Sequence, residues 1–506
     1  MLRSTGITLA LGMFVVAPTA PSAAQETYVL TELKAAAADS GDDVKAYAIS
    51  GTGQIVGLAM IGGSAHSAYW LNNDFTDLHG TTHLDLLQRF TVGWTEAYNI
   101  SDGGQIVGTG RKLIKCDPDD IIVSTAMLLR PAVLTDLGTP YPGDALTDLG
   151  TFGDPCFVND SAAVGISNQN HIVGWSDLDR GGTVHAFLVT PVNGAWFADL
   201  TGPAGEPDGG NDYLVDLGTL HPRAVVSSAT AVNDSGVVVG YSYTGAAAFH
   251  AFRVVPNNGE WFEDDGEGAN ALMEDLGTLG GTNSWARGIN NAGQIVGESD
   301  TASLDTRAFL YENGVMTDLG TLGGANSSAS SINEFGAIVG WAETASGERH
   351  AAAWVDGGII DLNEVLLPNT DVGAVLTEAR DINSSGQIAG WSKARTLRAE
   401  FKPFLLRIAT AAEIVTAEEE EVGDTTSDGD TDAGVVSGTS TSNGGTGSTA
   451  TGDQDGVPLN VPVVSSGENN NTANGGLGAP ALCGAASMSL LPLTILAIGS
   501  LRLRRR

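Results

Sequence analysis

With three cysteines in 506 residues, Cys116, Cys156 and Cys483, the chain is too poor in sulfur for a disulfide-built scaffold. No histidine pair stands near them to complete a zinc site. Basic side chains are also scarce: 24 Lys and Arg against 60 Asp and Glu give a net charge of −36, which argues against nucleic acid or anionic lipid as partner. Catalytic signatures are missing as well. There is no G-x-S-x-G, H-E-x-x-H, C-x-x-C or G-x-x-x-x-G-K. Gly51–Gly57 imitates a nucleotide loop, but its glycines belong to a hairpin turn and no helix follows. No cofactor and no metal site is expected.

What is present is a repeat. Its cleanest copy is Glu274–Asp300, E-D-L-G-T-L-G-G-T-N-S-W-A-R-G-I-N-N-A-G-Q-I-V-G-E-S-D. Ala286–Ile289 and Gln294–Gly297 suit strands, and Asn290-Asn291-Ala292-Gly293 between them is tight-turn chemistry, so the pair reads as a β-hairpin. A third strand follows at Arg307–Tyr311 and a fourth at Val315–Leu319, closed by Gly320-Thr321-Leu322-Gly323-Gly324. The hairpin's last glycine recurs at Gly57, Gly108, Gly174, Gly240, Gly297, Gly340 and Gly390. Seven copies of a four-stranded unit of roughly 40 to 50 residues predict an all-β fold, a β-propeller of about seven blades. A sheet this small cannot bury both faces alone, so copies must stack on one another.

These units resemble the HAF-repeat family of extracellular bacterial proteins. The name-giving triplet stands at His185-Ala186-Phe187 and His250-Ala251-Phe252, and in weaker form at His66–Trp70, Arg307–Phe309 and His350–Trp354. The resemblance covers Tyr28 to Arg407 and implies an exported repeat protein. It brings no catalytic residues, because the family is defined by its repeats.

Tyr28–Leu33, Y-V-L-T-E-L, matches the unit's fourth strand but precedes the first hairpin, while the seventh unit stops after its third strand. The N-terminal strand is therefore expected to complete the last sheet and close the ring, removing the exposed edges that an open array would carry. The spacings from Gly108 to Gly174 and from Gly174 to Gly240 are long because each holds a doubled fourth-strand motif, such as Leu134–Thr139 followed by Leu146–Thr151. Such insertions map to loops and give blades two to four the most individual surface.

Residues 1–24 read as a signal peptide, with Arg3, apolar Gly6–Ala17 and small Ser22-Ala23-Ala24, and residues 25–410 hold the propeller. Residues 411–480, rich in Ser, Thr, Gly and acid and without Lys or Arg, read as a disordered stalk. Asp428-Gly429-Asp430-Thr431-Asp432 has the spacing of a calcium loop but lacks its turn glycine and closing Glu. Residues 481–506 join apolar Ala485–Leu501 to Arg502, Arg504, Arg505 and Arg506, the pattern of a membrane-anchored tail with its basic end in the cytoplasm. It resembles the sorting tails of bacterial surface proteins, with Cys483 placed for processing. In an exported chain a Cys116–Cys156 disulfide is permitted, tying two neighbouring inserted regions together.

Recurring polar residues are the remaining candidates: His66, His185, His250 and His350 open third strands, and Asp77, Asp148, Asp216, Asp275, Asp318 and Asp361 sit in fourth strands. A catalytic group is needed once, so a group repeated in blade after blade is expected to satisfy the same local partner in each. Trp70, Trp175, Trp341, Trp354 and Trp391 read first as blade core. The function expected is a surface-displayed binding or interaction module for a glycan or protein ligand. The alternatives are a secreted polysaccharide hydrolase or lyase using loop carboxylates such as Asp264, Asp265 and Glu267, or a structural coat component.

Overall fold

The computed structural model describes residues 26–34, 43–78, 95–114, 121–129, 146–152, 160–178, 182–193, 195–196, 211–368, 370, 373–394 and 400–424. The segment read as a signal peptide, Cys116, Cys156, most of the segment read as a stalk and the whole of residues 481–506 with Cys483 lie outside them. Within them the chain forms seven four-stranded antiparallel sheets arranged as a ring, a seven-bladed β-propeller. Blades 1 to 6 occupy residues 44–77, 95–150, 161–216, 227–275, 280–318 and 323–361, each built in chain order. Blade 7 takes three strands from residues 374–408 and its outermost strand, Tyr28–Glu32, from the N-terminus.

The first strands of neighbouring blades touch all the way round, blade 7 against blade 1 included, so they form the wall nearest the axis. In every blade the first strand presents an alanine directly opposite the hairpin glycine: Ala46 and Gly57, Ala97 and Gly108, Ala163 and Gly174, Ala229 and Gly240, Ala286 and Gly297, Ala329 and Gly340, Ala379 and Gly390. A Cβ on Gly240 would stand 2.0 Å from the Ser228 carbonyl oxygen and 3.0 Å from the Phe252 ring, so only glycine fits. The H-A-F triplet now has a physical reading. Its Phe is fully buried over that glycine, as at Phe187, Phe252, Phe309 and Phe404. Its Ala N–H donates to a serine of the next blade, which donates onward to the glycine carbonyl of the D-L-G turn. Thus Ser227 Oγ accepts from Ala186 N at 2.8 Å and donates to Gly218 O at 2.5 Å, and Ser284 and Ser327 repeat the stitch.

A second seam runs through the hairpin turns. Asn233, Asn290 and Asn333 each donate from Nδ2 to the backbone carbonyl of the corresponding turn residue in the next blade, and Asn383 donates to Ser50 O at 2.9 Å across the junction of blades 7 and 1. That junction is closed by the N-terminal strand as well. Tyr28–Glu32 pairs with Phe401–Ile408, and Lys402 Nζ meets Glu32 Oε1 at 2.7 Å in the register that a His–Asp pair holds elsewhere.

Two boundaries differ from the sequence expectation. Gly323 and Gly324, read as part of a closing turn, begin the next blade's first strand, as do Gly280 and Gly281 one blade earlier: Gly280 and Gly323 have φ near +100°, and a Cβ on the following Gly281 or Gly324 would fall 2.5 Å from a neighbouring side chain. Ala411–Asp424, assigned by composition to the disordered stalk, is an α-helix. Thr410 and Glu413 form a capping box, with Thr410 N donating to Glu413 Oε2 at 2.9 Å and Glu413 N donating to Thr410 Oγ1 at 3.4 Å. Arg407 clamps the same glutamate, holding its carboxyl down at about 2. Among the described residues no helix is long and apolar enough to cross a membrane.

Candidate functional site

The recurring histidines and aspartates are local fasteners. Nδ1 of His66, His185, His250 and His350 lies 2.9, 2.8, 2.8 and 2.6 Å from Asp77, Asp216, Asp275 and Asp361 of the adjacent fourth strand. In blade 2, where the triplet is degraded, Thr125 donates to Asp148 at 2.5 Å instead. Five of these aspartates also cap the turn after them: Gly150 N donates to Asp148, Gly218 N to Asp216, Gly277 N to Asp275, Gly320 N to Asp318 and Asn363 N to Asp361. These pairs sit on the outer strands of separate blades and do not converge. Asp264, Asp265 and Glu267 do not reach the axis either. They occupy the exposed loop after the third strand of blade 4, where Asp264 and Asp265 accept from the backbone of their own loop. Hydrogen bonds from Glu267 N and Ala269 N hold the Asp265 carboxyl low, the wrong direction for a general acid. The tryptophans divide: Trp70 and Trp354 are blade core, whereas Trp341 and Trp391 face charged groups beside the first strands.

That charged region is the part of the propeller that does not repeat. After each paired alanine the first strand carries a β-bulge. Bulges re-aim side chains. Just before the alanine stand Lys45, Glu96, Ala162, Ser228, Trp285, Ser328 and Glu378 in blades 1 to 7; just after it stand Tyr47, Tyr98, Val164, Thr230, Arg287, Ser330 and Arg380. Small or apolar residues fill both positions in blade 3, so the fold does not require charge there.

In blades 5, 6, 7, 1 and 2 the charges interlock. Arg287 pairs with Glu298 in blade 5, while Arg349 of blade 6 reaches across to Glu378 of blade 7 and stacks 3.9 Å from the Trp341 ring centre. Arg380 approaches the other oxygen of Glu378 at 3.4 Å. Lys45 has no carboxylate within ion-pair distance among the described residues; its ammonium lies 4.5 Å from the Phe401 ring and 5.3 Å from that of Trp391, and burial pulls its pKa down. Tyr47 touches both neighbouring blades, ring to ring with Tyr98 and with Trp391.

Interactions also skip blades. Burial by itself would lower the Arg287 guanidinium, but Glu298 beside it, with Glu378 of blade 7 behind, holds it above its ordinary value. For Arg349 burial wins over Glu378 and Glu298, and its pKa falls. Burial raises the Glu96 carboxyl against the pull of its Tyr98 hydrogen bond and of Lys45. Lys45, Glu96, Arg287, Glu378 and Arg380 all stand on first strands, the wall nearest the axis, and this cluster therefore lies around the axis. Chemically it offers guanidinium forks, an ammonium, phenols and indoles around one point, with no group of ≥ 3 His, Cys, Asp or Glu able to hold a metal among the described residues.

The fold and this centre define the class: a seven-bladed propeller with one unrepeated polar site on its axis. No protein-family model matches the sequence, and no curated protein matches it. Among solved structures the chain is similar to TolB from Acinetobacter baumannii, at 10% identity over 75% of this chain and 82% of that one, with a TM-score of 0.32. It is also similar to a mutant of the Aleuria aurantia lectin in complex with Fucalpha1-6GlcNAc, at 10% identity over 63% and 94% with a TM-score of 0.28. A Bombyx mori GH32 β-fructofuranosidase matches at 8% identity over 73% and 89%, TM-score 0.24. At such values the likeness is one of general architecture.

Proposed function

We propose that this protein is an exported propeller that binds a ligand, a glycan or a protein segment, at its axis. One observation carries the reading: charge and aromatic area depart from the repeat at the axis, at positions that blade 3 fills with Ala162 and Val164. Buried ion pairs are weak stabilisers compared with packed apolar residues, so holding seven charged groups there is better explained by recognition than by stability. Display outside the cell is supported by the leader at residues 1–24, the acidic segment of residues 411–480 and the tail of residues 481–506, with Cys483 as the processing position. A coat role and a polysaccharide hydrolase or lyase remain the competing readings, the latter now without its loop carboxylates at the site.

Glycan and peptide arrays probed with the full chain and with Lys45→Met test the proposal. Lys45 makes no ion pair within 4.0 Å among the described residues and Met keeps its apolar length, so this variant should fold and lose the ligand. Equal binding by both proteins sinks the axial site, and turnover of the bound glycan moves the reading to an enzyme. Intact mass of the membrane-fraction protein tests the tail: a shortened or modified C-terminus is expected, and an unmodified chain ending at Arg506 leaves a plain anchor.

A further inference from the structure

Resting on that binding reading, we propose that the axial ligand is held through a carboxylate, as in a uronic-acid unit of an acidic glycan, gripped by Arg287, Arg349 and Arg380 with Lys45 beside them. Donor supply is the first argument. A guanidinium carries five N–H groups. These three make one hydrogen bond each, from Arg287 Nη2, Arg349 Nη2 and Arg380 Nη1, all to Glu298 or Glu378. Arg380 Nε is buried with no acceptor among the described residues. A buried donor without an acceptor is costly, and an oxygen supplied by a ligand removes that cost.

Charge count is the second argument. Lys45, Arg111, Arg287, Arg349 and Arg380 face Asp43, Glu96, Glu298, Glu378 and Asp381, and burial raises the Glu96 and Asp381 carboxyls toward their neutral forms, so the centre of a strongly acidic protein leans positive. The planar guanidinium fork suits a carboxylate, and Glu378 bridging Arg349 and Arg380 shows the bed already accepting one.

Access is the third. The arginine side chains keep 21%, 26% and 17% of their surface exposed. Lys45, Glu96 and Glu378 each stand four residues before the end of their first strand, away from the hairpin turn. Those turns are laced by Asp102, Asp234 and Glu334, which accept from the turn amides of Gly51, Asn168 and Asn291. The cluster therefore lies toward the opposite end, the one that carries the D-L-G-T connections.

Titration calorimetry of the full chain with trigalacturonate and with its methyl ester is the test. The acid should bind, the ester about tenfold more weakly, and Arg380→Gln should weaken the acid about tenfold while leaving the ester unchanged. Lys45→Met, which strands no partner, serves as a second variant if Arg380→Gln does not fold. Equal affinity for acid and ester, no binding of the acid, or acid binding indifferent to the substitution overturns the inference. If the arrays instead return a neutral ligand that Lys45→Met loses, the binding module stands and only the carboxylate falls.

Discussion

Leu33 is the side chain that fastens the N-terminal strand to the ring, and replacing it by alanine tests closure directly. It is 2% exposed and packs with Val44, Ala46, Ile49 and Trp70 of blade 1 and with Ala389 and Leu405 of blade 7, while its N–H donates to Pro403 O at 3.0 Å. Removing a fully buried leucine side chain costs about 2–5 kcal/mol. For a domain of about 380 residues, unfolding entropy of about 2.1 cal/mol/K per residue gives about 0.8 kcal/mol/K, so a loss of about 3 kcal/mol lowers Tm by about 4 °C. Leu188→Ala, fully buried inside blade 3, should cost a similar amount. The two differ in where the protein opens. Hydrogen exchange should accelerate selectively along Tyr28–Glu32 and Phe401–Ile408 in Leu33→Ala, because blade 7 alone depends on a strand from the other end of the chain. A Tm change under about 1 °C, or acceleration spread evenly over all blades, would refute closure by this strand.

Other consequences are as direct. The hydrogen bond that His250 donates to Asp275 raises the His250 pKa over the opposing effect of burial, so protonated His250 favours the fold. Its contribution is complete below the unfolded histidine value of about 6.5 and fades as pH climbs through the higher folded value; His250→Gln should flatten Tm against pH in that window, and an unchanged slope would contradict the pairing. Gly240→Ala should destabilise by more than about 3 kcal/mol or abolish folding. Gly259→Ala, which meets nothing within 4 Å and has only its φ of +85° against it, should cost about 1 kcal/mol, with chemical denaturation comparing the two. Peptide mapping of exported, unreduced protein should recover a Cys116–Cys156 cross-link, and two free thiols would end that expectation.

The ring was legible because its signals are local and repeated. A hairpin glycine seven times over, and T-E-L at residues 31–33 echoing T-D-L at residues 317–319, suffice to count the blades and assign the stray strand. The capping box Thr410-Ala411-Ala412-Glu413 was equally readable, but the acidic run behind it dominated the composition. The axial centre was hidden for a different reason. Motif reading rewards positions where copies agree, whereas Lys45, Glu96, Arg287, Glu378 and Arg380 stand where the copies disagree. Aligning the seven units on their glycines would have exposed two columns of unlike residues beside an unbroken column of alanines. Arg349 would have escaped even that, since it comes from a third strand and reaches blade 7 only through the ring.

The split blade also sets an order of events. Ribosomes make Tyr28–Glu32 before any other strand, yet its partner Phe401–Ile408 does not exist until the remaining six blades have been made. The first strand synthesised is thus the last to be placed, and blade 7 becomes whole only when translation has passed through the entire propeller. A prematurely terminated chain cannot disguise itself as finished: it keeps one unpaired strand at its start and one raw sheet edge at its end, the features by which quality-control proteases and chaperones distinguish incomplete products.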